Sequence, residues 1–595
     1  MTRRRTIGRA GAVALAMLTT ACATGDRPDD AIITGAWSPE QVQELADVTR
    51  EIYLSQEAGV LTEAETAAVA ELLAAGDRMH DLYLLQRHPQ ALAAKAALEA
   101  HPERSDLADL FRLMVGPVAT TLDNAREPFL GVDPETPGKN VYPQSATREA
   151  IESYLSAHPE RRDELLDLRA VVQDATPANR RRALRTLDAH PVLDTLHPGL
   201  RAQLETADTY LAVPYSVAYA EDILFVYDRL NAAADLVEAE DPAFAQYLRL
   251  RGRDLLADDY EGGDAAWVTS RFAGNLNAQI GSYEVYDDAI YGVKSFFGLS
   301  LLQRDIPASD ELAAAIGDIQ EIEDALPYDA HKRVRPDIPV GVYNIIADFG
   351  DARGMNTATI LPNESRAARQ YGRTILIRSN ILTHPERFAV RSARFDAVTV
   401  DAHHGDLTLD GDFYRTLWHE IGHYLGVDQT ADGRELDVAL QDASSLLEEM
   451  KADLVSLFAA RMLHERGLHD DARLHGIYAG GIMRVVQTAR PRRDQPYQTM
   501  QLIQWNWYLD HGLLSFEDGR LAIDYDRYPE AVESLLAAVL GLQRQGDRDA
   551  AEAFVEEWTT WDEAQHGEVA RRAREAATSR YSLVRYEALG EAPAD

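Results

Sequence analysis

The stretch LWHEIGHYLG, residues 417–426, contains H-E-x-x-H. On a helix this spacing puts His419 and His423 one turn apart on one face, so both imidazoles can reach one ion. Glu420 then lies beside the metal and suits a general base acting on water. Two histidines leave a catalytic zinc one protein ligand short. The missing ligand is read from SSLLEEMKADLVSLFAARML, residues 444–463, where Glu449 and Asp453 are again one turn apart. Glu449 fits as the third ligand, with Asp453 and Glu448 as carboxylates that orient the ligating histidines from behind. The bland alternative is a solvated acidic face made by Glu448, Glu449 and Asp453 beside Lys451. The other side of this helix is unbroken apolar, which favours a buried metal-binding segment with one zinc per chain. His403 and His404 lack a partner at ligand spacing and read as surface residues, and His511 reads as a helix-end residue.

The elements that must hold these residues follow from the texture of the chain. Residues 38–336 are mostly helical in pattern, with apolar residues recurring every three or four positions. EPFLGVDPETPGKNVYPQS breaks that pattern with prolines and glycines and reads as a long ordered loop. Residues 337–402 carry short β-branched runs (IPVGVYNII, NTATIL, RTILIRS, FDAVTV) and predict a small sheet or barrel. Residues 403–540 return to helical spacing and form the expected zinc-binding lobe, with Asp412 expected to cap the zinc helix and Gly426 to end it. Residues 541–595 read as C-terminal helices. The predicted fold is mainly α with a small β core, in two lobes around a wide cleft; 595 residues exceed what one core usually organises.

Charge narrows the partners. Lys plus Arg total 59 against 97 Asp plus Glu, a formal net charge of −38, which repels phosphate backbones and argues against nucleic acid. The single cysteine, Cys22, excludes an intrachain disulfide and a cysteine-based zinc site. Residues 1–22 have a basic start (Arg3, Arg4, Arg5, Arg9), a short apolar run and small residues up to Cys22, the anatomy of an export signal. LTTAC resembles the end of a bacterial lipoprotein signal, so Cys22 is the expected lipidation site. An ordinary cleaved signal peptide is the alternative, and the residues after the paired arginines match twin-arginine export poorly. Residues 23–37 then read as a linker, and a periplasmic monomer, lipid-anchored to the bacterial outer membrane, is expected, with no other membrane contact.

Taken together, HEIGH and EEMKAD resemble the dipeptidyl peptidase III family of zinc exopeptidases, in particular its plant and bacterial branch. That branch includes members fused to a Nudix domain, although no Nudix box is evident in this sequence. Family members commonly carry the longer H-E-x-x-x-H followed by an EECRAE-like segment. IGSYEVYDDAIYGVKSFF, VGVYNIIADFGDARG, GKNVYP, VPYSVAYAED and IQWNWYLDHGLL extend the likeness over nearly all of the chain beyond the leader. The resemblance implies that Glu284 and Asn344 hold the free amino end of a peptide and that Tyr286 hydrogen-bonds the scissile carbonyl. A second family asparagine corresponds to Ala347, and a family histidine that stabilises the transition state corresponds to Tyr497, a phenol that can donate a hydrogen bond but carries no charge. The implied activity is release of dipeptides from the amino ends of short peptides. Two rivals stay open: a peptide-binding lipoprotein of low turnover, and a zinc hydrolase of non-peptide substrates.

Overall fold

The computed structural model describes residues 28–56, 59–317, 319–334, 340–354, 357–362, 370–487 and 496–592. Cys22 and the expected leader lie outside them. The described part of the expected linker, from Pro28 on, is not a free tether. Pro28–Thr34 is a short helix, Ile32 is buried with Phe129 and Leu130, and Trp37 N donates to the Phe129 carbonyl.

Strand β1 (Thr49–Leu54) precedes the long helix α1 (Glu63–Arg87). Thr62 caps α1: its hydroxyl accepts from Glu65 N, while the Glu65 carboxylate accepts from Thr62 N. Helix α2 (Ala220–Val237) packs on α1 and α3 (Pro242–Ala257) packs on α2, in one core that includes Leu72, Ala75, Val226, Leu230 and Leu248. The sheet follows, built from β2 (Leu276–Glu284), β3 (Phe296–Arg304), β4 (Val340–Gly350), β5 (Ala358–Leu361) and β6 (Thr374–Arg378). Its order is β2–β3–β4–β6–β5, antiparallel except for the parallel β4/β6 pair. Gly76 lets α1 lie directly on this sheet, since a Cβ there would meet the Phe349 ring at 2.3 Å.

The helical lobe comprises α4 (Leu409–Gly422), α5 (Asp442–Glu465), α6 (Asp471–Val486), α7 (Pro496–Asp510) and α8 (Tyr528–Gln545). Strand β7 (Tyr581–Tyr586) closes the fold by pairing in parallel with β1.

Two large cores lie on either side of the sheet. Ile345, Ala347, Phe349 and Leu376 join the core of α1–α3, whereas Val342, Ile375 and Ile377 join that of α4–α8. Alternation along β6 serves both, as the period of two in a strand requires. The mainly helical, two-lobed architecture with a small sheet is the predicted one, but its boundaries shift. Two sheet strands, β2 and β3, come from the region predicted to be helical. Within 337–402, FDAVTV closes a helix, Pro385–Val398, rather than forming a strand. The C-terminal segment carries helices Arg548–Trp558 and His566–Glu575 but ends in β7. The cap of α4 is Thr408, whose hydroxyl accepts from Gly411 N. Asp412 instead sits inside the helix, paired with Arg391.

Candidate metal centre

Helix α4 presents His419 and His423 on one face, and α5 packs across it. The imidazole rings are 5.0 Å apart at 83°. Glu449 Oε2 lies 3.4 Å from His419 Nε2 and 3.9 Å from His423 Nε2. One ligand atom from each of the three residues falls within 4.8 Å of the others.

The far side of each ring is held by a carboxylate. His419 Nδ1 lies 2.7 Å from Asp453 Oδ1, and His423 Nδ1 lies 2.9 Å from Glu448 Oε1. These contacts direct both Nε2 atoms towards Glu449, the arrangement metal-binding histidines use. Each carboxylate is itself supported. Asp453 Oδ1 also takes Arg415 at 3.1 Å, and its Oδ2 takes Arg484 at 3.3 Å and Gln504 at 3.5 Å. Glu448 pairs with Lys451 Nζ at 2.8 Å, and that ammonium also donates to the Leu425 carbonyl at 2.7 Å. Lys451 is buried, so the solvated acidic face considered from sequence is not what forms. Gly426, at φ +83°, turns the chain just beyond and donates its N–H to Glu323.

The electrostatics suit a cation. Burial opposes charge on His419, but Asp453, with Glu449 and Glu420, outweighs it and lifts the imidazole to about 9. Burial works against Asp453 as well, yet Arg484, His419 and Arg415 hold its carboxyl far below the usual range. Desolvation likewise opposes ionisation of Glu449, and the two histidines together with Tyr497 outweigh it. Glu449 Oε2 is buried and takes no hydrogen bond. A borderline-soft divalent ion fits two imidazoles and one carboxylate, the His₂Glu donor set of catalytic zinc.

Glu420, half-buried, flanks this cluster on α4. Tyr497, in the first turn of α7 and 48% exposed, hydrogen-bonds to Glu449, and its ring lies 5.4 Å from the Arg484 guanidinium carbon. Desolvation and the Glu449 charge push this phenol well up.

Across from the helices, a bulge between Ser282 and Glu284 bends the end of β2 and leads into Tyr286, which is 87% exposed. Its phenol is raised by desolvation and by the charges of Glu284, Asp351 and Glu449, so the charge of a metal ligand is felt there as well as those of its own lobe. Glu284 belongs to an acidic group with Asp287 and Asp351. Desolvation, with the charges of Asp287 and Glu284, lifts Asp351 to about 7. Asn344 is half-buried on β4, in register with Gln303. Ala347 is fully buried in the α1–α3 core.

His403 accepts from Ile523 N and pairs with Asp406, and His511 stacks on Trp507 after the end of α7; both are structural. Sequence reasoning missed Arg415, Arg484 and Asp351. Arg415 lies four residues before His419, a spacing that could have revealed it; Arg484 comes from another helix and gives no local signal.

No family model matches the chain. Nudix hydrolase 3 of Arabidopsis thaliana is 25% identical over 562 residues, covering 88% of this chain and 70% of that protein. The solved structure of DPP III from Caldithrix abyssi has a TM-score of 0.77 at 24% identity, covering 92% of this chain and 99% of that one. Dipeptidyl-peptidase III from Corallococcus sp. strain EGB has a TM-score of 0.69 at 24% identity, covering 92% and 97%. The chain has the dipeptidyl peptidase III fold.

Proposed function

We propose that this chain is a zinc-dependent peptidase that releases dipeptides from the amino ends of short peptides. The observation that carries this is the convergence of His419, His423 and Glu449 within 4.8 Å, on a fold shared with dipeptidyl peptidase III over more than nine-tenths of the chain.

Zinc, when bound by these three residues, would polarise the peptide carbonyl and make water nucleophilic at neutral pH. Glu420 takes the proton of the attacking water and passes it to the leaving amine. Asp453 and Glu448 keep the two imidazoles in the tautomer that leaves Nε2 free to bind the ion. Tyr286 donates to the developing oxyanion, and Tyr497 supports from the Glu449 side without the charge of an imidazolium. Glu284 and Asn344 receive the peptide ammonium, and Asp351 adds negative charge to that end. Tyr286 stands opposite the metal helices, so its contact with substrate requires the lobes to close.

The peptide-binder alternative keeps its basis in Tyr497, but the presence of Glu420 beside a complete ligand set favours turnover. Among the described residues no helix is long and apolar enough to cross a membrane. An exported, lipid-anchored, periplasmic enzyme is part of the proposal on the strength of residues 1–22 alone. Palmitate labelling that disappears in Cys22→Ala would support the anchor.

The deciding experiment exposes the protein lacking residues 1–22 to a mixed oligopeptide library, read by mass spectrometry beside Glu420→Gln. Dipeptides released from amino ends, with a loss of about 10²–10⁴-fold in the variant, are expected. One equivalent of zinc with no Glu420-dependent cleavage would favour the binder, and internal or single-residue cuts would refute dipeptide release.

A further inference from the structure

The chain carries a formal charge of −38, yet one face of helix Pro385–Val398 presents Arg387, Arg391 and Arg394 at i, i+4 and i+7. Strand β1 packs against this helix and adds Arg50, whose Nε donates to Ser582 Oγ at 2.9 Å. Desolvation and the neighbouring arginines lower Arg50, Arg387 and Arg394, bringing Arg387 down to about 10.

Compensating acid is scarce. Arg391 takes Asp412, with Nε 2.7 Å from Oδ2 and Nη2 2.8 Å from Oδ1; the same carboxylate acts at longer range on Arg387, and Glu386 acts on Arg50. Arg387 and Arg394 are half-buried and make no hydrogen bond or ion pair among the described residues. The Nε of Arg394 is buried and unsatisfied. Clustered guanidinium groups without acid partners cost stability unless an anion joins them.

Arg391 links the cluster to the helices of the metal centre, through Asp412 and Gln487. Asp412 lies two turns before His419 on the same face of α4, about 10 Å by helical rise. Gln487, which accepts from Arg391 at 3.5 Å, is three residues beyond Arg484, the arginine between Asp453 and Tyr497. An extended peptide covers about 10 Å in three residues. Guanidinium forks match carboxylates in geometry as well as charge.

We propose that Arg50, Arg387, Arg391 and Arg394 bind a carboxylate of the peptide substrate, about three residues from the bond that is cleaved. The carboxylate is either the peptide's own C-terminus or an Asp or Glu side chain. This assignment rests on the peptidase reading of the metal centre.

The test measures binding by calorimetry in zinc-loaded Glu420→Gln protein, where turnover does not interfere. The probes are an uncharged pentapeptide as free acid and as C-terminal amide, and amides carrying Glu or Gln at positions three to five. At least one charged peptide should bind about 10-fold more tightly than its neutral counterpart. Arg387→Gln with Arg394→Gln should abolish that difference, while Arg387→Lys with Arg394→Lys, which keeps the charge, should retain part of it. A preference for the free acid assigns the C-terminus, and a preference for Glu over Gln assigns a side chain. Equal binding of charged and neutral peptides, or a preference that survives both glutamine substitutions, would overturn the proposal. Arginine-dependent binding of phosphatidylglycerol vesicles without any peptide preference would overturn it in favour of a lipid site. If the parent protein cleaves the neutral amide without a charge preference, only this proposal fails. If it neither binds nor cleaves any of the peptides, the peptidase reading fails with it.

Discussion

The two sides of the cleft are built to opposite standards. On the metal side His419 is 7% exposed and Asp453 2%, each fixed by partners that are themselves fixed. On the facing side Tyr286 is 87% exposed, on the segment that leaves β2 at a bulge. A metal ligand must be in place before the ion arrives, so its support is prebuilt. On the proposed mechanism Tyr286 meets substrate only once the lobes close, so its exposure here is no argument against that role.

The sharpest break in this contrast is Tyr286→Phe. It should lower kcat by about 10²–10³-fold, as loss of an oxyanion donor does, and leave zinc content unchanged by elemental analysis. Asp453→Asn should do the reverse, weakening zinc by about 10–100-fold in chelator competition. It also strands Arg415 and Arg484, so the protein should lose about 3–5 kcal/mol in denaturant unfolding, the usual cost of halving a buried ion pair.

A smaller effect concerns pH. Asp351, held near 7, is ionised above that pH and neutral below it. Attraction for a peptide ammonium should therefore strengthen as pH rises from 6 towards 7.5, seen as a falling KM that Asp351→Asn flattens. The trend should stop where the peptide amine itself deprotonates, near 8. The smallest effect is expected of Tyr497→Phe: about 10-fold or less in kcat, since the hydrogen bond lost is one to the Glu449 carboxylate and not one to the reacting carbonyl. An unchanged rate would remove Tyr497 from the mechanism, and a loss as large as that of Tyr286→Phe would erase the asymmetry between the two sides.

What was legible in the sequence followed from range. His419 and His423 are one helical turn apart, as are Glu449 and Asp453, and helical spacing is a local property. The convergence of Arg415 and Arg484 on Asp453 depends on α4, α5 and α6 meeting, which no local pattern records. Strand β3 was hidden because FFGLSLLQR is a largely apolar run that reads equally as a core helix, whereas β2, LNAQIGSYE, alternates apolar and polar residues and that period of two went unread. FDAVTV misled through its β-branched residues, although Phe388, Phe395 and Val398 already marked a helical stripe. The unmatched arginines of that helix were invisible for a simpler reason: a charge is anomalous only once its neighbours are known.

The pairing of β1 with β7 joins residues as far apart as Arg50 and Ser582, 532 positions along the chain. During synthesis the first strand must wait for the last. At about 5–20 residues per second the delay is roughly half a minute to nearly two minutes. The edge of β1 is open throughout that interval, so a nascent chain stalled before Tyr581 is the species most exposed to proteases and to mispairing with its neighbours.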